Sequence, residues 1–255
     1  MDWTIIILLF LAGVAGGIVN ALAGGATLIT FPAMLAAGLP PVIANASNAV
    51  AIAPGHLMAG FADREKLPRM DLQMLGLLGI SVLGGVAGAM LLLALPDRLF
   101  VLPVPALIGF ATALFAVAPR IGNWAEARRR GGATPSSGRG MIVLAAASVY
   151  GGFFGAGLGV MLTAVLSLAE PNDIRKVKVL KNVLASCVSL AAIVIFIAQG
   201  GMVHWPPTLL MLAGALIGGY AGGALVRVLP AGVVRWFVIV SGTIMTVVYA
   251  RKYWF

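Results

Sequence analysis

Apolar runs separated by short polar breaks fill this chain, at positions 4–23, 26–37, 44–60, 72–95 and 99–118, then 141–158, 160–169, 177–198, 206–229 and 233–250. Within each run nearly every position is apolar, and helices that are apolar all round belong in a buried or lipid setting. Crossing about 30 Å of hydrocarbon takes roughly 20 helical residues. Most runs reach that length, but the second of each set is too short, which predicts a broken or re-entrant helix there. Between the sets lies a polar stretch at 119–140, with Arg120, Arg128, Arg129, Arg130 and Arg139 against Glu126 and a Gly/Ser/Pro-rich tail. It predicts a cytoplasmic basic linker joining an N-terminal transmembrane repeat, 1–118, to a C-terminal one, 141–255.

The two sets match each other. Slid by 134 residues, GGVAGAMLLLALP at 84–96 falls on GGYAGGALVRVLP at 218–230, with seven of thirteen positions identical. At an offset of 134 or 135, Gly16-Gly17 falls on Gly151-Gly152, the Gly24 break on Gly159, and Asn48 on Asn182. Small-residue matches are individually weak, but in order and at one offset they make an internal repeat.

Loop charge orients the halves, because cytoplasmic loops collect Lys and Arg. The linker, the loop with Arg64, Lys66 and Arg69, and the loop with Arg175, Lys176 and Lys178 belong inside. Stretches 38–43, 96–98 and 199–205 carry few or no basic residues and belong outside. Corresponding loops then take opposite sides, so the repeats are inverted, each with about five hydrophobic segments. Both termini lie outside, where Arg251 and Lys252 mildly violate the charge rule.

Composition sharpens the class: 61% of the residues are hydrophobic and 10% charged, with a mean hydropathy of +1.04. An all-α polytopic membrane protein follows. The net charge of +9 reports topology, since no soluble basic domain could hold nucleic acid. Ala21-Leu22-Ala23 imitates a signal-peptidase site, but Asp2 is the one charge ahead of the first run, so that run is expected to be retained. The single cysteine, Cys187, fits a small core residue and gives no disulfide framework. His56 and His204 are too far apart to bind a metal together; no metal and no cofactor are expected.

Stretch 13–60 is apolar enough for lipid, yet Gly24-Gly25 and Pro40-Pro41 interrupt it, and it holds Asn20, Thr27, Asn45, Ser47 and Asn48. Polar groups in hydrocarbon must be satisfied and tend to face a bundle interior or a cavity. Helices interrupted near the midplane expose N–H groups carrying partial positive charge, ready for a carboxylate or sulfonate. The candidates are the backbone around Gly24, Gly25 and Thr27, and around Gly155, Gly157 and Gly159 in the other half. Gly84, Gly88, Gly218 and Gly222 read instead as close-packing glycines. Asn45 is placed as a helix N-cap; Asn48, one turn deeper, and its mate Asn182 serve either the pathway or interhelical bonding, as does Asn20. Lys178 and Lys181 sit at the entry of a helix, as topology signals or as anion attractors.

NALAGGATLITFPAMLAAGLPPVIANASNAVAIAPG at 20–55, with YGGFFGAGLGVMLTAVLSL at 150–168 and DIRKVKVLKN at 173–182, resembles the sulfite exporter TauE/SafE family, also called the toluene-sulfonate uptake permeases. Ala26 stands where many members carry a third glycine. The resemblance implies a bacterial inner-membrane exporter of small anions such as sulfite or organosulfonates. The expected partners are a small anionic substrate and the lipid bilayer, with homo-oligomerisation open. An intramembrane enzyme and a non-transporting scaffold are the alternatives. An enzyme needs positioned reactive groups, whereas all eight carboxylates here fall in loops or at segment ends; a scaffold has no use for paired broken helices.

Overall fold

The structure, a computed structural model, describes residues 2–22, 24–62, 70–130, 137–169, 174–225 and 230–255. It is an all-α polytopic membrane protein. Among the described residues, the helices are α1 (Trp3–Leu22), α2 (Thr27–Ala36), α3 (Pro41–Ala62), α4 (Leu72–Ala94), α5 (Asp97–Val101) and α6 (Val104–Arg130) in the first half. The second half holds α7 (Ser137–Phe153), α8 (Leu158–Ala169), α9 (Ile174–Ala198), α10 (Trp205–Leu225) and α11 (Ala231–Trp254). Stretches Trp3–Ala21, Leu72–Ala94, Val179–Ala198 and Gly232–Trp254 are long and apolar enough to cross a membrane.

Three expectations shift. The polar stretch at 119–140 is helical up to Arg130, where α6 ends, and helical again from Ser137. Arginine and alanine are good helix formers, so the charges prolong α6 beyond its apolar part. Similarly, α9 starts at Ile174, inside the stretch expected as a loop. The short α5 was not foreseen; its first residue, Asp97, accepts the Val42 N–H at 3.2 Å and ties α5 to the start of α3. Arg64, Lys66 and Arg69 lie outside the described residues.

The halves pack reciprocally. The most extensive contact joins α1 to α10, and its counterpart joins α7 to α4. Likewise α3 with α10 answers α9 with α4, α2 with α11 answers α8 with α6, and α1 with α2 answers α7 with α8. The α3–α9 and α6–α11 contacts are their own counterparts. Each half therefore completes the other.

Glycine carries the two largest contacts. Lipid tails are as apolar as leucine, so membrane helices associate through close packing rather than water exclusion, and small residues let backbones meet. A Cβ on Gly218 would run into the Val14 carbonyl, one on Gly17 into the Ala215 carbonyl, and one on Gly222 would lie 3.0 Å from Ile18 Cα. In the counterpart, Gly84 faces Ser148, Gly88 faces the Val149 carbonyl and Gly152 faces the Gly85 carbonyl. In both pairs the residue numbers climb together, so the helices run parallel. Outward-facing Ile7, Leu11, Leu75, Leu83, Ile244 and Val248 are exposed, as a lipid-facing surface requires.

The centre belongs to α3 and α9. Ala44, Asn45, Ala46, Ser47, Asn48, Ala51 and Ala53 of α3 are all buried, as are Leu180, Asn182, Leu184, Ala185 and Val188 of α9. Polar side chains here meet protein rather than hydrocarbon, which is how α3 tolerates two asparagines within one turn.

Candidate functional site

Each half breaks its chain by the same device. The Gly24 N–H donates to Val19 O and Asn20 O, both at 3.1 Å, and Gly24 has φ +75°. In the second half the Gly155 N–H reaches back to Tyr150 O at 3.3 Å, with φ +80°. A bond spanning five residues closed by a left-handed glycine ends a helix and turns the chain. After a few residues the short helices start, α2 at Thr27 and α8 at Leu158. The second break thus falls at Gly155 and Gly157 (φ +82°), not at Gly159, which sits inside α8. Asn48 and Asn182 keep the 134-residue offset, while the breaks are offset by 131; a few residues differ in the connection that follows.

Alanine at Gly24, Gly155 or Gly157 is therefore expected to cost about 1–2 kcal/mol each from left-handed strain. At Gly159 the helical backbone and a nearest neighbour 4.0 Å away, Lys181 Cδ, leave room for a methyl. Gly159→Ala should be neutral or stabilising by about 0.5–1 kcal/mol. Thermal melts of the four purified variants check this.

Short helices α2 and α8 begin in the interior: Ala26, Thr27, Ala156 and Leu158 are all buried. No side chain caps α2. The Leu28 and Ile29 N–H groups turn back to Gly25 O and Ala26 O at 3.1 and 2.9 Å, and the helix start keeps its partial positive charge.

Four of the expected residues converge. Thr27, Asn45, Asn48 and Gly155 line one cavity of about 30 Å³, together with Gly151, Gly152, Leu158 and Ser189. Asn45 is not an N-cap, because α3 begins at Pro41, whose fixed φ and missing N–H suit a first helical position. The Asn45 Nδ2 instead donates to Phe153 O at 2.8 Å, closing the end of α7 from the opposite half. Buried hydroxyls behave differently: Thr30, Thr112, Ser148 and Ser186 each donate to the carbonyl four residues back on their own helix. Among the described residues, no group donates to Asn45 Oδ1 or Asn48 Oδ1.

The other expected residues lie elsewhere. Ser47 is fully buried but points away, its Oγ accepting the His204 N–H at 2.9 Å and tying α3 to the α9–α10 connection. Asn20 lines a second, larger cavity of about 320 Å³ among α1, α3 and α10, shared with Gly16, Gly17, Gly55, Ala215 and Tyr220. Gly25 is buried against the Phe115 ring. Lys181 is half-buried with its stem beside Gly159, and Asn182 is buried; both are held by interactions with the rest of the fold. The side chains of Lys178 and His56 lie outside what the structure describes.

Sequence reasoning missed Ile52, which lines both cavities. It also missed the aromatic cluster beside the smaller one, where Phe154 meets Phe31 edge-on at 5.3 Å and Phe196 joins the lining. Aromatic residues in apolar helices give no sequence signal that separates a cavity wall from a core.

Interrupted helices in both halves, two asparagines facing a central cavity and a lipid-exposed exterior define a polytopic membrane transporter. The sequence model of the sulfite exporter TauE/SafE family matches residues 9–249, and the chain belongs to that family. A probable membrane transporter protein of Haemophilus influenzae (strain ATCC 51907 / DSM 11121 / KW20 / Rd) is 28% identical over 240 residues, 94% of this chain and 92% of the relative. The probable membrane transporter protein YfcA of Escherichia coli (strain K12) is 25% identical over 239 residues, 93% of this chain and 87% of the relative. No solved structure matches the chain.

Proposed function

We propose that this transporter exports small anions such as sulfite or organosulfonates across the bacterial inner membrane, by alternating access between two inverted repeats. The carrying observation is the pair of short helices, α2 and α8, one per half, that begin in the buried interior after left-handed glycines. Discontinuous helices of this kind aim their N-termini at anionic groups. The anion is held at the starts of α2 and α8, at the rim of the cavity that Thr27, Asn45, Asn48 and Gly155 line, with Lys181 and Asn182 of α9 further along its path.

The unequal cavities support alternating access. Gly16 and Gly17 line the larger, while their repeat mates Gly151 and Gly152 line the smaller. A roomy cavity on one side of α3 and a tight one on the other fit a rocking pair of repeats. The larger cavity includes Pro54, Gly55 and Met58, towards the end of α3 that leads to the basic stretch with Arg64, Lys66 and Arg69; it is the cytoplasmic vestibule. The proposal assigns no catalytic step. The described carboxylates Asp71 and Asp97 accept backbone N–H groups at helix starts, from Met74 and Val42.

Thermal melting of purified protein against sulfite, sulfoacetate, simple sulfonates and carboxylates tests the reading. An anion at 100 times its dissociation constant should add about 2.7 kcal/mol. Identical melts across the whole panel would contradict an anion site.

A further inference from the structure

We propose that the smaller cavity is also a site for a sodium-sized monovalent cation, bound by Asn45 Oδ1 and Asn48 Oδ1 at the C-terminal end of α7; the link to an anion rests on the transport reading above. Asn45 and Asn48 are 2% and 1% exposed. Because Asn45 Nδ2 donates to Phe153 O, the orientation of that amide is fixed and its oxygen is the atom facing elsewhere. Among the described residues neither oxygen receives a hydrogen bond. A buried acceptor left unpaired is destabilising, and here two sit one helical turn apart.

The atoms that lack partners are acceptors, so the guest must be a donor or a cation. Gly151 and Gly152 bring the last turn of α7 to the same cavity, with the partial negative charge of a helix C-terminus. Broken-helix transporters hold coupling cations with half-helix C-terminal ends and neutral oxygens of this kind. Oxygen donors suit a hard cation. Among the described residues no cluster of His, Cys, Asp or Glu occurs that could neutralise a doubly charged ion. A volume of about 30 Å³ admits a water-sized guest. Thr27 brings the start of α2 to the same cavity, and that positive end opposes a lone cation. An anion beside α2 offsets it, so cation and anion favour each other.

The test is thermal melting of the full chain in NaCl, KCl or choline chloride at constant ionic strength. Na⁺ should raise the melting temperature saturably, with K⁺ weaker and choline inert. Asn48→Ala should raise the half-saturating Na⁺ concentration at least tenfold, and Asn48→Asp, which adds a charge at constant shape, should lower it. By linkage, sulfite should bind more tightly in Na⁺ than in choline, and by the same factor Na⁺ should bind more tightly with sulfite. Superimposed melts in all three salts would overturn the site, leaving water on the two oxygens, as would an unchanged Na⁺ response in both Asn48 variants. Sulfite stabilisation in choline reports on the anion reading separately: its absence with the Na⁺ response intact contradicts that reading and leaves the cation site standing.

Discussion

Alanine in place of Gly88 or Gly218 is expected to destabilise the protein by about 3 kcal/mol or more, the upper end of what overpacking costs. The new methyl would fall on the Val149 carbonyl oxygen in one case and on the Val14 carbonyl oxygen in the other. Both obstacles are helical backbone, which no rotamer change can move aside, so the α4–α7 or α1–α10 pair must separate along its length. These are the two most extensive helix contacts in the fold, and each joins one half to the other. Gly79 and Gly219 lie on the same helices with nothing within 4 Å of an added Cβ. Alanine there should be neutral or stabilising by about 0.5–1 kcal/mol, from helix propensity. Melts in detergent that show all four variants alike would mean the glycines are not what holds the halves together.

Replacing Lys181 and Asn182 together with alanine should remove most anion binding and flux at temperatures where the variant is still folded. One helix terminus contributes about 0.3–1 kcal/mol to an anion, and up to about 2 when partly buried. Desolvating the ion costs several kcal/mol, so a single terminus cannot hold it. Two helix starts, the Asn48 and Asn182 amides and one lysine together can. A hydrogen bond to a charged group contributes about 1.5–3 kcal/mol, so losing Lys181 alone should weaken anion affinity roughly 10- to 150-fold. Lys176→Ala, one helical turn and more towards the start of α9, should do much less. Wild-type affinity in the double variant would return both residues to topology and packing.

Much of this arrangement was legible in the chain. Apolar run length located the crossing helices within a few residues, because lipid leaves little choice of secondary structure. GGVAGAMLLLALP against GGYAGGALVRVLP identified glycines that the fold uses for packing in both halves. The repeat match that sets the Gly24 break on Gly159 runs four residues past Gly155, because the stretch between the paired glycines (Gly16-Gly17, Gly151-Gly152) and the break is shorter in the second half. Ser47 and Asn48 are neighbours in sequence with equal claims to a polar site, yet one bonds the His204 N–H and the other faces the cavity. Composition cannot tell which way a helix is turned. Asn45 illustrates the same limit: a cap was legible, but the helix end it closes belongs to the other half.

The central claim is that this pair of broken helices moves an anion, and sulfite efflux from proteoliposomes tests it most directly. The purified chain is reconstituted with sulfite inside and an inside-negative potential imposed. A monoanion gains about 2.3 kcal/mol per 100 mV on leaving, so efflux should exceed that of protein-free vesicles and grow with the potential. It should collapse in the Lys181→Ala, Asn182→Ala double variant, assayed below that variant's melting temperature. Efflux of sulfite and of every tested sulfonate at the protein-free rate, from protein shown to be folded, would contradict the account.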